Sequence, residues 1–203
     1  MSDAPRPAGD EARSLRPSVD PDLARDIRLV SLDVDGVLTD GGLWVERSVL
    51  GDLAEIRRFH VLDGLGIRLL QQAGIDVALV SGKPSGAVEA RAEELEIKEV
   101  HLGYPFGKVA AIQGILWRRE WEWRQVAHLA DDLADLALME RVGLPAAVAN
   151  AVPEVREAAA WRGSVRGGEG AVREFARALL EARGDWETQV ERFVQRGRGP
   201  EAG

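Results

Sequence analysis

Short apolar runs that alternate with helical periodicity set the architecture of this chain. The runs are "IRLVSLD" (27–33), "IDVALVSG" (75–82), "IKEVHLG" (97–103), "RQVAHLADD" (124–132) and "LPAAVAN" (144–150). Segments this short, rich in Val, Leu and Ala and closed by Gly, Asp or Asn, are expected as strands buried on both faces. Helical patterns separate them. Asp63 offers a cap for "GLGIRLLQQAG", Pro84 or Ser85 opens the next helix, and "GKVAAIQGILWRRE" (107–120) carries apolar residues at 109, 112, 115 and 116. A helix follows the fourth strand to about 141, Pro153 opens another, and 170–182 forms a further one. In the last, 185–196, Trp186, Val190, Phe193 and Val194 share one face. Strands alternating with helices predict an α/β, Rossmann-like parallel sheet flanked by helices. The exception is "GLWVERSVLGDLAEIRRFH" (42–60), whose two-residue alternation on both sides of Gly51-Asp52 predicts a β-hairpin flap.

The ends differ from the middle. Residues 1–25 place Pro5, Pro7, Pro17 and Pro21 among charges and small residues, so a disordered or loosely attached leader is expected there. One domain is expected over 26–183, then a C-terminal helix and flexible tail over 184–203, ending "GRGPEAG". A net charge of −8 without a basic stripe argues against nucleic acid. No apolar run reaches the ~18 residues of a membrane span, and the N-terminus lacks an apolar signal core. No membrane association and a cytoplasmic location are therefore expected. The absence of cysteine excludes disulfides, thiolate catalysis and Cys-ligated zinc. His60, His101 and His128 are too scattered for a His-rich metal site and read as structural. Trp117, Trp121 and Trp123 read as packing residues.

In parallel sheets ligands bind beyond the carboxyl ends of the strands. Asp33, Ser81 and Asp131 all close expected strands, so three strands deliver polar groups to one rim. A calcium loop starting at Asp33 would need Gly at its sixth position and Glu at its twelfth, which here are Leu38 and Trp44. Phosphoryl transfer suits the cluster better. One Asp carboxylate can form an aspartyl-phosphate, and a second, two residues on, can give a proton to the leaving oxygen and take one from water. At ~4 Å and an effective dielectric of ~20, one negative charge facing two costs about 8 kcal/mol, so cations are required. Mg²⁺ on oxygen ligands is one, and "ADDLAD" (130–135) offers carboxylates for it. Lys108 is another; only Lys83, Lys98 and Lys108 are lysines in this Arg-rich chain, and a cation at a helix start needs a reason.

Four segments then fall into a known order: "SLDVDGVLTDGG" (31–42), "ALVSGKPS" (78–85), "GYPFGK" (103–108) and "HLADDLADLALMERVGLPAAVANAVPEV" (128–155). They resemble the four motifs of the haloacid dehalogenase superfamily. "RRFHVLDGLGI" (57–67), "VGLPAAVANA" (142–151) and "GGEGAVREF" (167–175) resemble its capless branch, that of the 3-deoxy-D-manno-octulosonate 8-phosphate phosphatases. The resemblance covers about residues 27–182 and implies no separate cap domain. It implies that Asp33 is the nucleophile and Asp35 the general acid/base, with the Asp35 backbone carbonyl on Mg²⁺. It gives Ser81, helped by the backbone N–H of Gly82, the transferring phosphoryl group, and Lys108 the bridge between nucleophile and phosphate. Asp131 becomes a metal ligand, with Asp132 supporting the metal. The 42–60 hairpin is implied as the element through which a homotetramer forms, a neighbouring subunit closing the site. The implied reaction is Mg²⁺-dependent hydrolysis of a small phosphorylated sugar or sugar acid, best matched by an eight- or nine-carbon 3-deoxy-ulosonate phosphate.

The chain departs from the family pattern at four places. Lys83 stands where an Arg is usual, Ala130 where a Gly is usual, and Leu62 where an Arg is associated with substrate contacts. Arg57 replaces a Lys and keeps its charge. Asp40 reads as a turn residue, and Asp135 as a helix-face carboxylate with an outer role open. Two non-enzymatic readings compete. A phospho-accepting receiver domain would carry its adjacent acidic pair on the first strand, whereas Asp131–Asp132 follows the fourth. A degenerate structural subunit is opposed by intact Asp33, Asp35, Lys108 and Asp131 but kept open by Leu62 and Ala130.

Overall fold

The computed structural model describes residues 17–47, 53–104 and 106–198. Its centre is a six-stranded parallel sheet of β1 (Leu29–Leu32), β4 (Asp76–Ser81), β5 (Glu99–Leu102), β6 (Val126–Ala130), β7 (Leu144–Ala147) and β8 (Trp161–Arg162), in the order β5-β4-β1-β6-β7-β8. Successive side chains of a strand face opposite sides, and both sides are apolar. Val77 and Leu79 of β4 join one core with Ile67, Leu70, Phe175 and Leu179. Ala78 and Val80 join a second with Ile112, Ile115 and Leu138. The first core is closed by α2 (Val61–Gln72) and α7 (Ala171–Arg183), the second by α4 (Lys108–Arg119). The other helices after β1 are α3 (Gly86–Glu94), α5 (Leu136–Met139), α6 (Pro153–Ala158) and α8 (Trp186–Arg198). Ser85 caps α3 by accepting from the Val88 N–H, and Pro153 occupies the first turn of α6.

Three local expectations are corrected. Residues 17–25 are not a loose leader: Asp20 caps and Pro21 opens α1 (Pro21–Asp26), whose Ala24 is buried with Val19 in the first core. Asp63 does not cap α2; His60 does, accepting from Leu62 N–H, while Asp63 is buried one turn in and accepts from the Arg173 N–H at 2.9 Å. β8 was not anticipated. Its Trp161 packs edge-on to Phe175, with ring centroids 5.0 Å apart. The remainder of the expected leader (1–16), the Gly51-Asp52 turn of the hairpin and the expected tail (199–203) lie outside the described residues.

The flap is β2 (Trp44–Arg47) paired antiparallel with β3 (Leu53–Ile56), and Thr39 bridges to Phe59 at its foot. It sits between β1 and α2, and Trp44, Val45 and Ile56 are exposed on it. In the main sheet, Leu32 lies level with Leu79 and Leu129. That register brings Asp33, Ser81 and Asp131 out at the same edge.

Candidate active site

The segment after β1 is held in one conformation from several sides. Thr39 donates through both its backbone N–H (2.9 Å) and its hydroxyl (3.1 Å) to the Val34 carbonyl, closing a wide turn over Val34–Leu38. Gly36 adopts φ +92°, and a Cβ there would collide with the Asp131 carboxylate. Only glycine fits between the two acidic loops. Asn150 clamps this turn to the C-terminal glycines, donating to the Gly36 carbonyl at 3.1 Å and accepting from the Gly167 N–H at 2.7 Å.

Lys108 enters from the first turn of α4, only 5% exposed. Its Nζ lies 2.7 Å from Asp33 Oδ1 and 2.6 Å from Asp135 Oδ1. His128, inside β6, contacts the same Asp135 oxygen through Nε2 at 2.8 Å and the Ser31 hydroxyl through Nδ1 at 3.1 Å. A carboxylate can only accept, so Nε2 carries the proton toward Asp135. Burial opposes ionisation of Asp135, but His128 and Lys108 outweigh it and hold its pKa below the usual range. Burial also works against the Lys108 cation, yet Asp33 and Asp135 together push its pKa up. Asp33 is raised by burial and the Asp135 charge, against the pull of Lys108. Asp131 is pushed up to about 8 by burial and by the charges of Asp33 and Asp135.

Such a site lacks positive charge. Asp33, Asp131 and Asp135 present oxygens within 4.8 Å of one another, and the buried Oδ1 of Asp131 has no hydrogen-bond partner among the described residues. Oxygen-only donors and an unpartnered carboxylate fit a hard cation such as Mg²⁺.

Of the residues expected from sequence, Asp33, Asp131 and Lys108 meet at the rim. Ser81 lies buried at the end of the adjacent β4, its hydroxyl accepting from Lys83 N–H at 3.2 Å, with Gly82 half-buried beside it. Asp35 follows Asp33, with its carboxylate paired to Arg57. Asp132 is not brought into the cluster: its exposed side chain caps the following turn, accepting from Leu133 N–H at 2.7 Å, and Asp135 takes the inward place. Asp40 is a turn residue as expected, accepting from Gly42 N–H at 2.9 Å and from Arg58 Nε at 2.7 Å. The outer role left open for Asp135 is filled by its contact with Lys108, while the contacts of His128, read as structural, and of Arg57, noted only for its charge, were not foreseen. A histidine in an otherwise apolar buried strand was the available signal for His128.

A parallel sheet that collects carboxylates and a buried lysine at its carboxyl edge, with a hairpin beside it, is the arrangement expected of the capless haloacid dehalogenase branch that the sequence motifs resemble. No family model matches the chain. It is 39% identical over 161 residues to 3-deoxy-D-manno-octulosonate 8-phosphate phosphatase KdsC of Escherichia coli (strain K12), covering 79% of this chain and 83% of that one. The crystal structure of the Yersinia pestis 3-deoxy-D-manno-octulosonate 8-phosphate phosphatase superposes with a TM-score of 0.76 at 37% identity, over 82% of this chain and 88% of the other. The Moraxella catarrhalis phosphatase of that name, in complex with magnesium ion, phosphate ion and KDO, gives a TM-score of 0.78 at 32% identity, over 85% and 97%. The chain belongs to the 3-deoxy-D-manno-octulosonate 8-phosphate phosphatase family of the haloacid dehalogenase superfamily.

Proposed function

We propose that this chain is a Mg²⁺-dependent phosphatase that hydrolyses 3-deoxy-D-manno-octulosonate 8-phosphate or a closely related ulosonate phosphate. The observation that carries the reading is the buried Lys108–Asp33 pair beside Asp131 at the carboxyl edge of the sheet. Asp33 and Asp131, with the Asp35 backbone carbonyl, would hold Mg²⁺. When bound, the cation offsets the repulsion between the phosphate dianion and the carboxylates and stabilises charge on phosphorus. Asp33 attacks phosphorus as the ester P–O bond breaks, and Asp35 gives its proton to the departing alkoxide. Water then attacks the phosphorus of the aspartyl-phosphate and loses its proton to Asp35, releasing inorganic phosphate and Asp33. Lys108, held by Asp135, keeps a positive charge against Asp33 throughout. Ser81 and the Gly82 N–H hold the phosphoryl oxygens.

The flap supports a homotetramer in which a neighbour covers the site. A lone two-stranded hairpin is marginal in water, and Trp44 is 70% exposed on this one. The cytoplasmic location is likewise our reading; among the described residues no helix is long and apolar enough to cross a membrane. A phosphate-release screen over phosphosugars with Mg²⁺ tests the assignment. The ulosonate 8-phosphate is expected to be the best substrate and chelation by EDTA to stop its turnover. Full activity after exhaustive chelation, or no turnover of any member, would overturn it.

A further inference from the structure

We propose that Arg57, at the foot of the flap, is the positioning residue for the Asp35 carboxyl group; the inference rests on the reaction above. Arg57 follows β3, and its side chain is 2% exposed. Nη1 contacts Asp35 Oδ1, and Nε contacts Glu55 Oε1. The same Glu55 oxygen accepts from the Ser85 hydroxyl at 2.6 Å, and Ser85 caps α3 in the loop that follows β4. Arg57 is thus held from behind by a carboxylate that is itself anchored beside the phosphate-binding loop.

The dependence runs from Arg57 to Asp35. A guanidinium this buried persists only when its donors are met, and Glu55 supplies part of that. The Asp35 side chain is 32% exposed, so packing alone does not fix its rotamer. The Arg57 guanidinium, with Nη1 on Asp35 and Nε on Glu55, does. The next residue grips the other side of the same loop, Arg58 Nε donating to Asp40 at 2.7 Å. One dipeptide at the flap foot thus holds both ends of the Asp35–Asp40 segment. The aim of Asp35 at the leaving oxygen is therefore set by the flap.

Mis-aiming Asp35 weakens protonation of the leaving group, so the defect depends on how badly that group needs a proton. The full-length chain with Mg²⁺ is assayed as wild type, Arg57→Met (which keeps the aliphatic stem) and Arg57→Lys, each checked by circular dichroism. Two esters are compared by kcat/KM, which reports the steps up to departure of the leaving group. One is the alkyl phosphate that wild type turns over best; the other is 4-nitrophenyl phosphate, whose phenolate leaves without protonation. Acid–base catalysis contributes ~10²–10⁴-fold, and loss of aim alone is expected to cost Arg57→Met roughly 30-fold on the alkyl ester. Its loss on the aryl ester is expected to be about tenfold smaller, and Arg57→Lys is expected to recover part of the alkyl rate. Equal losses on the two esters would overturn the proposal. If Arg57→Met does not fold, Arg57→Lys carries the same comparison: a loss confined to the alkyl ester supports the role, and equal losses overturn it. Wild type inactive on every ester would instead remove the reaction, and the role of Arg57 with it.

Discussion

The two ends of the central sheet treat charge in opposite ways. At the amino ends of the strands these carboxylates are met by arginines: Asp26 pairs with Arg124, which also holds Glu122, Asp76 with Arg119 at 2.9 Å and Glu99 with Arg118 at 2.8 Å. At the carboxyl ends Asp33, Asp131 and Asp135 lie together with Lys108 as the cation between them. The first arrangement lies at the surface, Glu99 being half-buried, and is screened and worth little to stability. The second is buried and short of positive charge, a state that folding alone does not favour. Charge left uncompensated inside the fold is what the proposed Mg²⁺ and the proposed phosphate contacts would answer.

Substitutions sharpen the contrast. The largest effect is expected at Asp33→Asn, where kcat falls by ~10⁴-fold or more if Asp33 forms the proposed covalent intermediate; phosphate release measures it, and the fold is expected to survive. Lys108→Met comes next, with a loss of ~10²–10³-fold in kcat. It also leaves Asp33 and Asp135 facing each other, so its melting temperature is expected to fall as well.

A third test uses pH. In the metal-free fold the Asp131 carboxyl is held up to about 8 by burial and its acidic neighbours. The folded chain therefore keeps a proton that the unfolded chain has lost above about pH 4. This group's contribution to metal-free stability is full below that value and is lost as pH rises toward 8. Mg²⁺ takes the ionised carboxylate, so its stabilising effect grows across the same window. Thermal melts with and without Mg²⁺ are expected to differ more at about pH 8.5 than at about pH 6; an equal or reversed difference would remove Asp131 from the metal site. The smallest effect is expected at the other end of the sheet. Arg119→Ala is expected to change stability by at most ~1 kcal/mol and leave turnover unaltered, measured by denaturant titration and phosphate release.

Much of this was legible in the sequence because it is local. The end of a buried strand fixes where a side chain emerges, so Asp33, Ser81 and Asp131 were placed at one rim from periodicity alone. What escaped was set by turns and by distant pairing. Asp132 and Asp135 share one acidic run, and only the tight turn over Leu133–Asp135 decides which of them points inward. The alternation over 42–60 predicts the hairpin, but nothing local says that Arg57 at its foot turns toward Asp35. The Pro-rich composition before residue 26 masked α1, although Asp20-Pro21 carries both a cap and a first-turn proline.

Covalent chemistry at Asp33 is tested most directly by acid quench during turnover of the ulosonate 8-phosphate with Mg²⁺, followed by mass spectrometry of the peptides. The expected result is one phosphoryl group on the peptide containing Asp33, absent from the Asp33→Asn variant. A phosphoryl group on any other residue, or phosphate release by Asp33→Asn at the wild-type rate, would contradict it.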